Sequence, residues 1–255
     1  MTSKAVKILC TATLAALLAT APTLAQHAGT GHGWSYEGEA GPAKWGELKP
    51  EYQTCKVGKQ QSPIDIRGAQ PADLPPIEFA YQPSPLRIID NGHTIQVNYA
   101  PGSYITVGGR KYELAQAHFH HPAEEKVNGE AYAMDAHLVH KDASGKLAVV
   151  TVLLKAASAN PFLDQIWKNL PEHEGQENAP EGVSVDLGNL LPDQRGYYTF
   201  TGSLTTPPCS EDVTWLVLKT PVQVSKDQEA TFARRYEHNA RPVQPLNGRL
   251  VRMTK

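Results

Sequence analysis

The sequence predicts a mainly β protein with a single domain, built on a large and mostly antiparallel twisted sheet with short helices at its periphery. From residue 77 onward, β-branched and aromatic runs alternate with polar residues and are separated by glycine-containing turns. Helix signals are few, and the chain shows neither an internal repeat nor a low-complexity tract. Its 255 residues of mixed composition are enough for one large hydrophobic core.

The predicted strands follow one another with short turns between them. The run PLRIIDNGHTIQVNY alternates around an Asn-Gly turn signal, and the run SYITVGGRKYELAQAHFH contains Gly108-Gly109 as a hairpin turn. Three further runs have the composition of strands: EAYAMDAHLVH, KLAVVTVLLKA and DVTWLVLKTPVQV.

Two helices are predicted, both in the second half of the chain. The segment NPFLDQIWKNL has Asn160 as a cap, Pro161 in its first turn and apolar residues at helical spacing. The segment SKDQEATFARRYEHN begins with a capping box formed by Ser225 and Gln228. Residues 26–60, rich in glycine, proline and polar groups, are predicted to form an irregular N-terminal arm.

The first 25 residues have the pattern of a secretory signal peptide. Lys4 and Lys7 precede a mostly apolar run of about a dozen residues, and Thr23-Leu24-Ala25 offers a cleavage site. A membrane anchor is the alternative, but the run is shorter than the ~20 apolar residues that a spanning helix needs. We therefore expect cleavage near Ala25, a periplasmic or secreted protein, and one domain over residues 26–255.

Charge and cysteine content narrow the function classes. Loss of the signal segment lowers the count of basic residues from 24 to 22 against 26 acidic ones, which makes the net charge −4. This charge disfavours nucleic acid and anionic membranes as partners. The same cleavage leaves Cys55 and Cys209, and two cysteines in an exported chain favour one disulfide over two separate thiols.

Histidines are concentrated in the segment QAHFHHPAEE and in the later segment DAHLVH. In a strand, His118 and His120 share one face while His121 leaves on the other. His137 would lie beside this pair if the second segment folds back, with His140 turned away. Three neutral imidazoles without a fourth protein ligand are the composition of a catalytic zinc site, although histidines satisfied within a core remain the alternative.

Ordered motifs carry a resemblance to a known family across residues 30–255. The motifs are QQSPIDI at 60–66, NGH at 91–93, HFH at 118–120, AHLVH at 136–140, GSLTTPP at 202–208, TWLVLK at 214–219 and NARPVQPLNGR at 239–249. In this order they resemble the α-class carbonic anhydrases, most closely the secreted bacterial type. The resemblance implies a sheet of about ten strands and reversible hydration of carbon dioxide to bicarbonate and a proton, with one zinc ion per chain.

The resemblance also assigns roles to individual residues. It makes His118, His120 and His137 the zinc ligands, and Thr205 with Glu124 the pair that orients the attacking oxygen. Gln116, Asp135 and Asn239 would support the ligands, although the family usually has Glu where this chain has Asp135. Glu125, beside Glu124, is expected to be a solvated loop acid. The remaining assignments are a proton shuttle at His93, water-ordering residues Tyr36 and Gln96, a bridge between Cys55 and Cys209, a bicarbonate contact at Thr206, and an apolar wall of Val139, Val149, Leu204, Val213 and Trp215.

The resemblance implies carbon dioxide and bicarbonate as small-molecule partners and sulfonamides and anions as inhibitors, and it allows a homodimer.

Two rival interpretations belong to other classes of protein. HFHHPAE fits half of a cupin metal signature, which would make Glu124 a ligand, but the second half of that signature is missing. A non-catalytic relative that acts as a binding module would typically lack one zinc histidine, and all three are present here.

Overall fold

The computed structural model describes residues 33–255, and these residues belong to one compact unit. The predicted signal peptide at 1–25, the cleavage site at Ala25 and the first residues of the predicted N-terminal arm lie outside the described residues. Within residues 33–255, none of the helices combines the length and the apolar character needed to cross a bilayer.

Strands dominate the described part of the chain. The strands are β1 Asp65–Ile66, β2 Gln70–Ala72, β3 Glu78–Ala80, β4 Ser84–Pro85, β5 Arg87–Asp90, β6 Ile95–Asn98, β7 Tyr104–Val107, β8 Arg110–His120, β9 Lys126–Val127, β10 Met134–Lys141, β11 Leu147–Ala156, β12 Glu177–Asn178, β13 Ser184–Val185, β14 Tyr197–Gly202, β15 Val213–Leu218, β16 Val222–Val224 and β17 Arg252–Thr254. The α-helices are short: α1 Trp45–Leu48, α2 Thr54–Val57, α3 Pro161–Trp167 and α4 Lys226–Ala233. Single turns of 3-10 helix cover Gly38–Ala40, Pro50–Tyr52 and Leu187–Leu190.

One sheet of 13 strands organises the described residues. Its main path runs β12-β5-β6-β8-β10-β11-β15-β14-β17-β2, with β7, β3 and β16 attached beside it. Most neighbouring strands are antiparallel, as predicted, but β11 pairs in parallel with β15 and with β16, and β17 pairs in parallel with β2. The sheet is therefore mixed. Parallel neighbours need a long crossover connection, and a long stretch of chain separates β11 from both β15 and β16.

Local sequence signals explain the turns and caps near the centre of the sheet. The β7–β8 hairpin turns at Gly108 and Gly109, with φ angles of 56° and 74°, a left-handed conformation that glycine adopts at little cost. The predicted helices are confirmed as α3 and α4. Asn160 accepts a hydrogen bond from the backbone N–H of Phe162, and Ser225 and Gln228 form the complete capping box.

The two faces of the central strands pack against different apolar clusters. Ala117 and Phe119 of β8 and Leu138 of β10 belong to a large core on one face. Val149 of β11 and Trp215 of β15 belong to a smaller cluster on the other face. Because both faces are covered, β11 and β15 are almost continuously apolar rather than alternating. The histidines of β8 and β10 that share a face with Val149 are therefore enclosed by protein.

A disulfide ties the N-terminal arm to the loop after β14. Cys55 and Cys209 are bonded with a Cα–Cα distance of 5.0 Å, which confirms the predicted bridge. Arg241 adds a polar link at the same place, since its guanidinium donates to the backbone oxygen of Cys55 at 3.1 Å. The arm is thus held against the body of the domain by both a covalent and a polar contact.

Replacement of both bridging cysteines by serine should lower the free energy of unfolding by about 2–5 kcal/mol, because the bridge closes a loop with a sequence separation of 154. Urea unfolding of the oxidised protein, the reduced protein and the Cys55→Ser/Cys209→Ser variant measures this loss. Equal unfolding midpoints for the three forms would contradict the prediction.

Candidate metal centre

Three imidazoles converge because β8 and β10 pair antiparallel in one particular register. His118 stands opposite His137, and His120 stands opposite Asp135. The three rings have centroids between 4.6 and 5.3 Å apart, and one nitrogen from each lies within 4.8 Å of the others. His120 and His137 are each only 1% exposed, and His118 is half-buried. Strand alternation has therefore placed the three side chains on one enclosed face.

A different acceptor fixes the tautomer of each ring. Nδ1 of His118 lies 2.8 Å from Gln116 Oε1, and Nδ1 of His120 lies 2.8 Å from the backbone oxygen of Asn239. Nε2 of His137 lies 3.2 Å from Glu125 Oε2. Since an oxygen acceptor requires an N–H, the opposite nitrogen of each ring keeps its lone pair.

The lone pairs that remain, on Nε2 of His118, Nε2 of His120 and Nδ1 of His137, form a donor set suited to zinc. His120 Nε2 is buried and has no hydrogen-bond partner among residues 33–255, as expected for a nitrogen that a metal would occupy. Burial, together with the neighbouring His120 and His137, lowers the pKa of His118 well below its usual range, so this ring is neutral and able to coordinate.

Carboxylates surround His137 on both of its nitrogens. Burial lowers the pKa of His137, but the charges of Asp135 and Glu125 outweigh it and raise that pKa well above its usual range. A metal ion at Nδ1 would therefore displace a proton from this ring. Near the other nitrogen, Glu124 Oε2 lies 3.9 Å from His137 Nδ1 and 3.7 Å from His120 Nε2. Glu124 Oε1 accepts the backbone N–H of Arg241 at 2.7 Å.

The two acids near His137 do not behave as the sequence predicted. Asp135 Oδ2 accepts the backbone N–H of Glu124 at 2.7 Å and lies 3.5 Å from His137 Nε2. The hydrogen bond to His137 is made instead by Glu125. Glu125 is fully buried, so its interpretation as a solvated loop acid was wrong. Asp135, one methylene shorter than Glu, reaches the loop backbone rather than the ring.

An apolar wall lies on the same face as the three histidines. Trp215 is 1% exposed, and its ring lies edge-on to His137 with centroids 4.9 Å apart. The predicted wall residues belong to one cluster, of which Val149, Val213 and Trp215 are buried and Val139 and Leu204 partly buried. Register explains this grouping, since Val139 stands opposite Val149 and Val149 opposite Trp215.

A family model for eukaryotic-type carbonic anhydrase matches residues 40–255. The chain belongs to the α-class carbonic anhydrases. The carbonic anhydrase of Nostoc sp. (strain PCC 7120) is 46% identical over 223 residues, which cover 86% of this chain and 84% of the relative.

Solved structures of carbonic anhydrases agree with this membership. A hyperthermostable carbonic anhydrase from an active hydrothermal vent chimney superposes with a TM-score of 0.85 at 45% identity, covering 87% of this chain and 100% of that one. The α-carbonic anhydrase of Thermovibrio ammonificans, in complex with the inhibitor sulfanilamide, gives a TM-score of 0.82 at 45% identity, covering 86% of this chain and 97% of that one. The fold and the histidine set of this carbonic anhydrase fit one zinc ion per chain.

In this carbonic anhydrase, Thr205 is 5% exposed and lies in a turn next to the disulfide. Backbone hydrogen bonds close the turn, from the N–H of Leu204 to Ser210 at 2.9 Å and from the N–H of Cys209 to Thr206 at 2.8 Å. The hydrogen bond from Thr205 to Glu124 and the bicarbonate contact of Thr206 stay predictions. Glu124 Oε2 is buried without a hydrogen-bond partner among the described residues, which leaves an acceptor for such a bond.

His93 lies in the turn between β5 and β6. Its ring stacks on Trp34, with centroids 3.7 Å apart and an interplanar angle of 7°. Its backbone oxygen accepts the side-chain amide of Asn239 at 3.0 Å. The sequence did not connect Trp34 with His93, because nothing local pairs an arm residue with a turn some 60 positions later. The shuttle role of His93 stays a prediction.

The two predicted water-ordering residues have different surroundings. Burial raises the pKa of Tyr36 well above its usual range, and the charges of Glu124 and Asp135 add to this shift. Gln96 stands opposite His118 in the β6–β8 pairing, and its amide donates to Asn98 Oδ1 at 2.7 Å. Their contact with water stays a prediction.

Neither of the two histidines that were predicted to lie outside the site joins it. His121 Nδ1 lies 2.7 Å from the backbone oxygen of Glu237, and its Nε2 lies 3.3 Å from Glu229 Oε1. His140 is fully buried, and its Nε2 lies 2.8 Å from the hydroxyl of Tyr81. Burial lowers the pKa of His140 to about 4, so its ring is neutral at pH 7.

Sequence reasoning missed Arg241 as well as Glu125. Arg241 is 3% exposed, and its guanidinium donates to Gln61 Oε1 at 2.9 Å and to the backbone oxygen of Ser62 at 2.8 Å. Its backbone N–H holds Glu124, so one residue connects the N-terminal segment with the metal centre. Arg241 could have been found from its position in the motif NARPVQPLNGR, two residues after Asn239.

Substitution of any one of His118, His120 and His137 by alanine should abolish tight zinc binding. A catalytic zinc site uses three protein ligands, and only two imidazoles would remain. Metal analysis after dialysis against a weak chelator should give about one zinc per chain for the unmodified protein. His121→Ala is the matched control, since it removes a histidine from the neighbouring position and should retain the zinc. Loss of zinc from this control with the fold intact would contradict the assignment.

Proposed function

We propose that this exported carbonic anhydrase catalyses the reversible hydration of carbon dioxide to bicarbonate and a proton at the centre formed by His118, His120 and His137. One observation carries the proposal: one nitrogen from each of three imidazoles lies within 4.8 Å of the others, beside a buried carboxylate oxygen of Glu124. The zinc that these nitrogens would hold lowers the pKa of a bound water from 15.7 to about 7, a value established for carbonic anhydrase itself.

The residues around the ligands position the reaction. Gln116 and Asn239 hold the rings of His118 and His120, so that their nitrogens are aimed before any metal arrives. Glu124, with one oxygen anchored on Arg241, is placed to accept a proton from the Thr205 hydroxyl. Because the Thr205 hydroxyl would donate its one proton to Glu124, it could only accept a hydrogen bond from the attacking oxygen. That bond would aim a lone pair of the attacking oxygen at the substrate carbon.

Carbon dioxide is small and uncharged, so an apolar surface is the appropriate binding site. The wall of Val139, Val149, Leu204, Val213 and Trp215 lies on the face of the sheet that carries His137. Its contact with the substrate would exclude water and leave the carbon exposed to attack. Thr206, at the edge of the same turn, is the proposed contact for bicarbonate as it leaves.

Proton export would pass through His93, since imidazole has the pKa that transfer near neutrality requires. Tyr36 and Gln96 would order the waters between His93 and the metal. The stack on Trp34 supports this role by holding the ring in one orientation. Sulfonamides and anions are the proposed inhibitors, and a homodimer is compatible with the fold.

The export of this protein is proposed from the segment 1–25 together with the disulfide, which persists in oxidising compartments. The periplasm and the extracellular space are both consistent with these features. The cupin alternative is not favoured, because the sheet and the family match belong to a carbonic anhydrase.

Carbon dioxide hydration, followed by the pH change in a stopped-flow instrument, tests the function directly. Removal of zinc by a chelator should abolish the hydration activity, and addition of one zinc per chain should restore it. Sulfanilamide should inhibit by competing for the metal. A folded protein with full zinc occupancy and no hydration activity would contradict the proposed function.

His93→Ala should separate proton export from the attack on carbon dioxide. kcat should fall toward roughly 10³ s⁻¹ in weak buffer, the rate at which a group with a pKa near 7 releases protons to water. kcat/KM should stay nearly constant, because it reports steps that precede proton export.

Concentrated imidazole buffer should restore most of the lost kcat of His93→Ala. Trp34→Leu is the matched control, since it removes the stacking partner and keeps the imidazole, so its kcat should fall less. A parallel fall in kcat and kcat/KM without rescue by imidazole would assign His93 a structural role instead.

A further inference from the structure

Glu125 is a buried charged residue that the proposed mechanism does not use. It lies in the loop between β8 and β10, and its side chain is fully buried. Burial of a carboxylate is costly unless a partner compensates for the lost hydration. Its one side-chain hydrogen bond within residues 33–255 is the bond of 3.2 Å to His137 Nε2. Among the described residues, His137 is therefore the hydrogen-bond partner that compensates for the burial of the Glu125 side chain.

Asp135, the residue that the family resemblance assigns to His137, is engaged elsewhere. Its Oδ2 accepts the backbone N–H of Glu124 at 2.7 Å, whereas the same oxygen lies 3.5 Å from His137 Nε2, farther than Glu125 Oε2 at 3.2 Å. A single N–H on His137 can make one good hydrogen bond, and the shorter and better aligned partner is Glu125. The bond from Asp135 fixes the backbone one residue before Glu125.

We propose that Glu125 is the positioning residue that accepts the Nε2–H of His137 and aims its Nδ1 at the metal, while Asp135 acts indirectly by holding the loop that carries Glu125. The shorter acid at 135 and the buried acid at 125 thus form one unit. This inference rests on the proposed zinc site, and it assigns the orientation of the third ligand to a residue outside the motifs that carry the family resemblance.

Glu125, Asp135 and His137 could also be considered as a second cation site, since one atom from each lies within 4.8 Å of the others. That arrangement would require His137 to lose its Nε2 proton and bridge two ions. The neutral ring with Nδ1 on the metal and Nε2–H on Glu125 needs no such loss, and we therefore favour a hydrogen bond over a second ion.

Zinc affinity and the rate of zinc loss to a chelator test the proposal without reference to activity. Glu125→Ala should raise the zinc Kd roughly 10- to 100-fold and speed zinc loss, which is the usual effect of removing the acceptor behind a ligating histidine. Asp135→Asn should change the Kd less than about threefold, because the amide oxygen of Asn can still accept the N–H of Glu124.

Two further variants make the comparison specific. Glu125→Ala/Asp135→Glu should recover most of the lost affinity, because the longer acid at 135 can take over the hydrogen bond to His137. Glu130→Ala, in the same loop but with an exposed side chain paired with Lys155, should leave zinc binding unchanged. Thermal unfolding of the zinc-free proteins shows whether each variant folds. If Glu125→Ala does not fold, the isosteric Glu125→Gln carries the test and should raise the Kd by a smaller factor.

Three results would overturn the proposal. The first is wild-type zinc affinity in Glu125→Ala or Glu125→Gln, and the second is a loss in Asp135→Asn as large as that in Glu125→Ala. The third is binding of two zinc ions per wild-type chain that falls to one in Glu125→Ala, which would make the cluster a second metal site. Failure of the proposed function would look different, since the wild-type protein would then bind zinc without hydrating carbon dioxide.

Discussion

The pairing of β8 with β10 is the constraint on which the metal centre depends. It sets His118 opposite His137 and His120 opposite Asp135. All three metal ligands, and the acidic residue Asp135 beside them, therefore come from two adjacent strands. A slip of one residue would turn His137 to the other face of the sheet and direct Leu138 or Ala136 at the site. The large core on that other face opposes such a slip, because it would lose Leu138 from its interior.

Glu124 and Glu125 show how one short loop serves both sides of a single imidazole. Glu124 approaches the Nδ1 side of His137, and Glu125 bonds to the Nε2 side. Two consecutive acids can do this because a loop, unlike a strand, does not impose alternation on neighbouring side chains. The backbone N–H of Glu124 is held by Asp135, and its carboxylate by the backbone of Arg241. The loop is therefore fixed from two independent directions.

The parts that the sequence predicted well depend on local patterns. The hairpin at Gly108 and Gly109 and the cap at Ser225 follow from residues a few positions apart. The shared face of His118 and His120 follows from strand alternation, and the position of His137 needed only one nearby return of the chain. The disulfide could be inferred because only one pair of cysteines lies outside the predicted signal segment.

The parts that were missed depend on contacts between distant segments or on loop geometry. Hairpin signals in the sequence do not reveal the parallel pairing of β11 with β15, because these strands are far apart in the chain. The burial of Glu125 follows from the path of an irregular loop. A charged residue in a loop is normally solvated, so composition alone favoured the wrong environment for Glu125. The departure at Asp135 was visible in the sequence, but the residue that compensates for it was not.

The links from Asn239 and Arg241 to the site have a consequence for the order in which this protein assembles. The histidine hairpin can close early, since its strands are neighbours in the chain. The acceptor for His120 comes from Asn239, 119 positions later, and the anchor for Glu124 comes from Arg241, 117 positions later. Contacts between such distant positions close late, because they depend on the elements between them. The hydrogen bonds that orient the ligands therefore form only when the last part of the chain docks. Tight metal binding would then indicate that the chain has completed its folding.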